Sequence, residues 1–322
     1  MRPALEHSAK EQRTDGFTGA PETRERFRKS MKMSSYQKFA FLMAVSLALW
    51  WHPIATTLRL ALDNEEYTHI LLIVPLSCAL IYQQWKGIAA SGNRGVSVGL
   101  ALLAIGLLAV TFPHEESGAL REDGLLAVSM AGLVLWWIGA VVFCFGLSAF
   151  QSFLFPLCFL FWIVPLPEFL LSRILDFLQH ESAWTARIFF RAAGTPVTQD
   201  GIMLSIPGMD IEVARACSSI RSSLILVITT MVLGHLLLRS WWRKALLIAL
   251  AIPLTFVKNG LRIFVICELA LRDPAYFEGW LHRQGGVVFL SIALVVIVGV
   301  LWTLQRAEIP GPRRLVVRER QG

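Results

Sequence analysis

Apolar runs near the length of a bilayer crossing recur along this chain and constrain its fold more than any single motif does. A helix needs about 20 apolar residues to cross ~30 Å of hydrocarbon. The runs fall at roughly 39–58, 70–85, 96–112, 124–147, 151–167, 219–238, 245–266 and 285–304, with ends uncertain by a few residues. The second, third and fifth are short or interrupted by proline. With 55% hydrophobic and 16% charged residues, the composition excludes an ordinary soluble globule. The chain is read as an all-α polytopic membrane protein of about eight transmembrane helices.

Charge placement orients those helices. With the N-terminus inside, the inner segments hold 19 Lys and Arg residues and the outer segments eight. The acids distribute the other way, in "DNEEYTH" (63–69) and "PHEESGALRED" (113–123). Both patterns predict N-in and C-in. The net charge of +7 resides mainly in tails and short loops, so it reflects this topology and not a nucleic-acid groove. Nothing near the start resembles a cleaved signal peptide, because a polar, basic stretch of about forty residues precedes the first apolar run. The expected division is a basic cytoplasmic, disordered tail over 1–38, a membrane domain over 39–304 and a basic cytoplasmic tail over 305–322. No internal repeat is visible. Five cysteines without a CxxC pair argue against a metal cluster, and no cofactor is expected.

One sizeable extramembrane stretch, 168–216, lies on the outer face. Residues 169–194 carry apolar side chains at helical spacing with Arg173, Asp176, Glu181 and Arg187 between them, which predicts an amphipathic helix along the membrane surface. "IMLSI" and "DIEVA" then flank "PGM" as a short hairpin that delivers the chain to Cys217.

Ionisable groups inside spans are costly, so each is a functional candidate. Cys78, Cys144, Cys158 and Cys267 sit among apolar neighbours and read as small buried hydrophobes. Cys217 differs, standing at the outer start of the sixth span in "ARACSSIRSSL". A helix N-terminus and a nearby guanidinium favour a thiolate, and Arg221 lies one turn deeper. Small residues also let helices pack closely, so the local pattern leaves both readings open. In the seventh span, "FVKNGLRIFVICEL" places Lys258, Asn259, Arg262 and Glu268 in an otherwise apolar helix. Arg262 stands roughly 26 Å along that span, near its outer edge, where an arginine can snorkel to headgroups. His282 is expected in the outer loop before the eighth span, where Gly285 and Gly286 open the helix. Topology thus brings a thiol, a cation and an imidazole from three spans to one outer level. Those are the groups an acyl transfer requires.

At these residues the sequence resembles the exosortase/archaeosortase family of membrane transpeptidases, over about 63–290. Its cysteine motif stands here as "ACSSIRSS", with Ser219 in a glycine position; its Asn-x-x-Arg element is "NGLR" (259–262) and its late histidine is "HRQGG" (282–286). An early motif appears as "EYTHI" (66–70), with Ile70 where glycine is usual, and "TPVTQDG" precedes the cysteine. The resemblance implies a bacterial cytoplasmic-membrane enzyme with an outward-facing site and Cys217, Arg262 and His282 as its catalytic residues. The implied partners are membrane-anchored exported proteins that end in a Pro-Glu-Pro-like motif, a transmembrane helix and a basic tail. They are cleaved through a thioester and passed to an unknown acceptor. Asn259, Arg221, Glu66 and His69 are supporting or substrate-binding candidates. Two rivals stand beside this reading: a transporter or flippase with a polar path along the seventh span, and a non-catalytic assembly factor for exopolysaccharide.

Overall fold

The computed structural model describes residues 34–85, 95–111, 122–213, 220–273 and 280–308. Eleven α-helices and one three-stranded sheet account for nearly all of the described residues. In chain order the helices are α1 (Ser35–Leu49), α2 (Trp51–Asp63), α3 (Ile70–Gln84), α4 (Val96–Thr111), α5 (Glu122–Phe145), α6 (Leu147–Ser152), α7 (Leu154–Phe159), α8 (Glu168–Ala192), α9 (Ile220–Leu237), α10 (Trp241–Arg272) and α11 (Trp280–Arg306). Strands β1 (Thr198–Asp200), β2 (Met203–Ile206) and β3 (Met209–Glu212) lie between α8 and α9.

Among the described residues, α5, α9, α10 and α11 are long and apolar enough to cross a membrane. The number rises to six if each of two bent helix pairs is one span, and α4 is a shorter apolar helix. The all-α polytopic architecture is therefore present, while two of the eight expected runs are not continuous helices. The first breaks at Trp50, where α1 and α2 meet at 70°. Pro53 has no N–H to offer the Leu49 carbonyl, and its ring crowds that oxygen, so one helix cannot run through. The buried Trp50 indole locks the corner by donating to Ser129 O at 2.8 Å. The fifth run is divided into α6, α7 and a 3-10 turn over Leu160–Ile163; Pro165 and Pro167 end it, and α8 departs at 95°.

The main core gathers α1 to α7 around α5, joined by one face of α8 and of α9. The α4–α5 pair packs closely, because glycines recur seven residues apart on each helix (Gly99 and Gly106, Gly132 and Gly139). A Cβ at Gly99 would stand 2.7 Å from Phe143 N, and one at Gly106 would stand 2.7 Å from Gly132 O. Small residues at such a seam let dispersion contacts accumulate where lipid supplies no hydrophobic drive.

The predicted hairpin forms: β2 and β3 pair antiparallel with Leu204 opposite Ile211, and β1 adds a third strand beside β2. Residues alternate along β2 between exposed and buried, and the inward set (Leu204, Ile206, Ile211, Val213) packs with Ala183, Ala186 and Phe190 of α8 and Ile263 and Cys267 of α10. The sequence predicts α8 as a helix along the membrane surface; the structure gives it a protein partner along its length. Phe177 meets Phe256 at 6.3 Å and Phe190 meets Phe264 at 5.2 Å, while Thr195, just past the helix, donates to Glu268 Oε1 at 2.7 Å.

Of the cysteines expected to be buried, Cys144 and Cys267 are, whereas Cys78 and Cys158 are exposed. Apolar neighbours mark an interior in water; in a membrane chain they equally mark the outer, lipid-facing surface.

Candidate functional site

The site begins with α10, a 32-residue helix about 48 Å long, which exceeds the thickness of hydrocarbon. Exposed Trp241 and Trp242 stand at its start beside Arg243 and Lys244, the residue types that anchor at a membrane–water interface. Further along, Lys258, Asn259 and Arg262 are all buried. The snorkelling reading of Arg262 does not hold, because its side chain is only 8% exposed and lies within the protein.

Lys258 is the group whose importance the sequence reading underweighted. Its Nζ donates to Ser222 Oγ of α9 at 2.6 Å and to Asn259 Oδ1 at 2.7 Å. Both partners are neutral. The network ties the first turn of α9 to the Asn-x-x-Arg face of α10, and Arg262 is one turn beyond Lys258 along the same face. Ser222 lies five residues after Cys217 in sequence. The signal that could have found this partner was the serine pair of "IRSSL": the structure turns Ser222 and Ser223 inward and leaves Arg221 exposed.

Gly260, the glycine of "NGLR", explains why α8 can cover this face. A Cβ there would stand 2.7 Å from Thr185 Cβ and 2.8 Å from Ala186 N. Gly260→Ala is therefore expected to push α8 and α10 apart and to lower stability by about 1–3 kcal/mol. A thermal unfolding midpoint in detergent that equals that of the parent protein would refute the close approach.

The chain leading to Cys217 is fastened just before it. The buried Gln179 of α8 donates from Nε2 to Val213 O at 2.7 Å, and Val213 N donates to Ile202 O at 3.0 Å. Val213 and Ile220, the residues flanking 214–219, are both buried. Cys217 itself lies outside the described residues. His282 lies in the first turn of α11, which begins at Trp280, five residues earlier than the glycine-opened helix expected from sequence. The side chain of His282 is also outside the described residues. The structure thus brings Asn259, Lys258 and Ser222 into contact and buries Arg262 along the same face. It does not place the thiol or the imidazole relative to them.

Glu66 and His69 belong to a separate brace. Glu66 is half-buried and offers its backbone carbonyl to His69 Nδ1 at 3.2 Å; the buried His69 ring meets Trp162 edge-on at 6.4 Å. Between them, Tyr67 donates its hydroxyl to Leu166 O at 3.0 Å. Burial, reinforced by the carboxylates of Glu66, Glu168 and Asp123, pushes that hydroxyl up to about 12, so it stays a donor. These contacts tie the 65–69 turn to the segment before α8, and His69 also faces Ile225 and Ile228 of α9 across a small apolar cavity. Among the described residues no group of three or more His, Cys, Asp or Glu side chains is arranged to hold a metal ion.

A family model described as transmembrane exosortase matches residues 50–299. The chain belongs to the transmembrane exosortase family. The match runs from the corner at Trp50 through most of α11 and includes Cys217, Arg262 and His282. No curated protein and no solved structure matches the chain. As a transmembrane exosortase family member with several membrane-length helices, it is an integral membrane protein.

Proposed function

We propose that this exosortase-family protein is a cysteine transpeptidase at the outer face of the bacterial cytoplasmic membrane. Its substrates are exported proteins ending in a Pro-Glu-Pro-like motif, a transmembrane helix and a basic tail. The observation that carries this reading is the buried Asn259–Arg262 face of α10, joined through Lys258 to Ser222 at the helix turn that follows Cys217.

In the proposed reaction the Cys217 thiolate attacks the scissile carbonyl carbon, and Arg262 stabilises the oxyanion that develops. The C–N bond breaks as protonated His282 gives its proton to the leaving amine, leaving a thioester on Cys217. An acceptor nucleophile then adds to the thioester carbonyl, loses its proton to His282 and expels the thiolate. Asn259, Arg221, Glu66 and His69 are proposed to support or bind the substrate.

The test is interception of the thioester. The protein is expressed with a substrate bearing the three-part tail, and membranes are treated with hydroxylamine. The expected product is the shortened substrate ending in a hydroxamate, seen by mass spectrometry. A substrate that stays uncut in cells and in treated membranes would overturn the transpeptidase reading and favour an assembly factor.

A further inference from the structure

A cavity of about 300 Å³ opens where α8, α9 and α10 converge. Phe177 of α8, Ile220 and Val227 of α9 and Ile252 of α10 form its apolar walls. One charge breaks that lining: Arg173 is exposed and, among the described residues, has no carboxylate partner.

The charged residue of its lining, Arg173, is a cation, which favours a ligand that joins an anionic headgroup to an apolar chain. Phe177 and Ile252 are themselves about half exposed, so the cavity is reached from the apolar outer surface of the protein.

We propose that this cavity is a binding site for an anionic membrane phospholipid. One acyl chain lies between α8, α9 and α10, and Arg173 pairs with the phosphate. The site is independent of the transpeptidase reading and holds for any activity of the chain. It adjoins the first turn of α9, so a bound lipid braces the helix that carries Ser222.

The full-length protein in phosphatidylcholine nanodiscs is labelled with a trace of phosphatidylglycerol carrying a photoactivatable acyl chain, and separately with the matching phosphatidylcholine probe. Phosphatidylglycerol is expected to crosslink to peptides containing 173–178 and 220–227 in preference to phosphatidylcholine. Arg173→Gln, an exposed substitution that leaves packing intact, is expected to reduce this labelling about five-fold, the contribution of one cation near an anionic headgroup. Val227→Trp, which fills the cavity, is expected to abolish it for both probes. Equal labelling by the two probes, or labelling unaffected by Arg173→Gln and Val227→Trp, overturns the site. Capture of a co-expressed substrate peptide by a photoreactive residue at 227, with no lipid adduct, overturns the lipid assignment.

Discussion

Cys217→Ala is expected to abolish cleavage of a co-expressed three-part-tail substrate, by at least about 10⁴-fold, while Cys78→Ala is expected to leave the rate unchanged. The size follows from covalent catalysis: without the thiolate no thioester forms, and the remaining donors can only polarise a carbonyl that water attacks poorly. Cys78 is the appropriate control because it is a free cysteine exposed on α3. Substrate cleavage that survives Cys217→Ala but not Cys78→Ala reverses the assignment, and cleavage surviving both removes cysteine chemistry altogether. Topology has its own check: a membrane-impermeant thiol reagent applied to intact cells is expected to reach Cys217 from outside, in a variant lacking the other four cysteines.

Asn259→Leu is expected to damage the protein more than Lys258→Met, although it removes the smaller polar group. Asn259→Leu takes one of two acceptors from the buried Lys258 amine, and a hydrogen bond to a charged group contributes about 1.5–3 kcal/mol. Lys258→Met strips Ser222 and Asn259 of a donor but also removes the buried amine, whose desolvation costs several kcal/mol; the two effects are expected to cancel to within about 1 kcal/mol. Thermal unfolding midpoints in detergent decide the order. A Lys258→Met variant that unfolds at least as early as Asn259→Leu would mean that Lys258 carries no buried charge. The double variant separates pair from parts: with the amine gone, Asn259→Leu is expected to cost less than it does alone.

Much of the architecture was legible because lipid imposes a length rule. The runs at 124–147, 219–238 and 285–304 match α5, α9 and α11 within a few residues, since a continuous apolar stretch there has no alternative to a helix. The run at 39–58 was not legible as two helices: hydropathy averages over Trp50 and Pro53, while the bend depends on a proline ring and one indole hydrogen bond. The seventh run continues to Arg272, beyond its apolar part, because α8 and the strands cover the polar outer end and replace lipid as its surroundings.

The candidate site divides the same way. "NGLR" announced itself because an asparagine and an arginine three apart in an apolar helix are costly anywhere. Lys258 stands mid-way along α10, and the sequence records no partner for it. Only packing shows that it turns inward to Ser222, a residue 36 positions away. By itself the sequence determined the membrane-spanning all-α class and the family, because both are written in contiguous stretches and ordered motifs. The tertiary structure alone decided that Arg262 is buried, that Gly260 admits α8, and that Lys258 joins two helices. Those facts depend on which faces meet across long separations, and local composition carries no record of the partner.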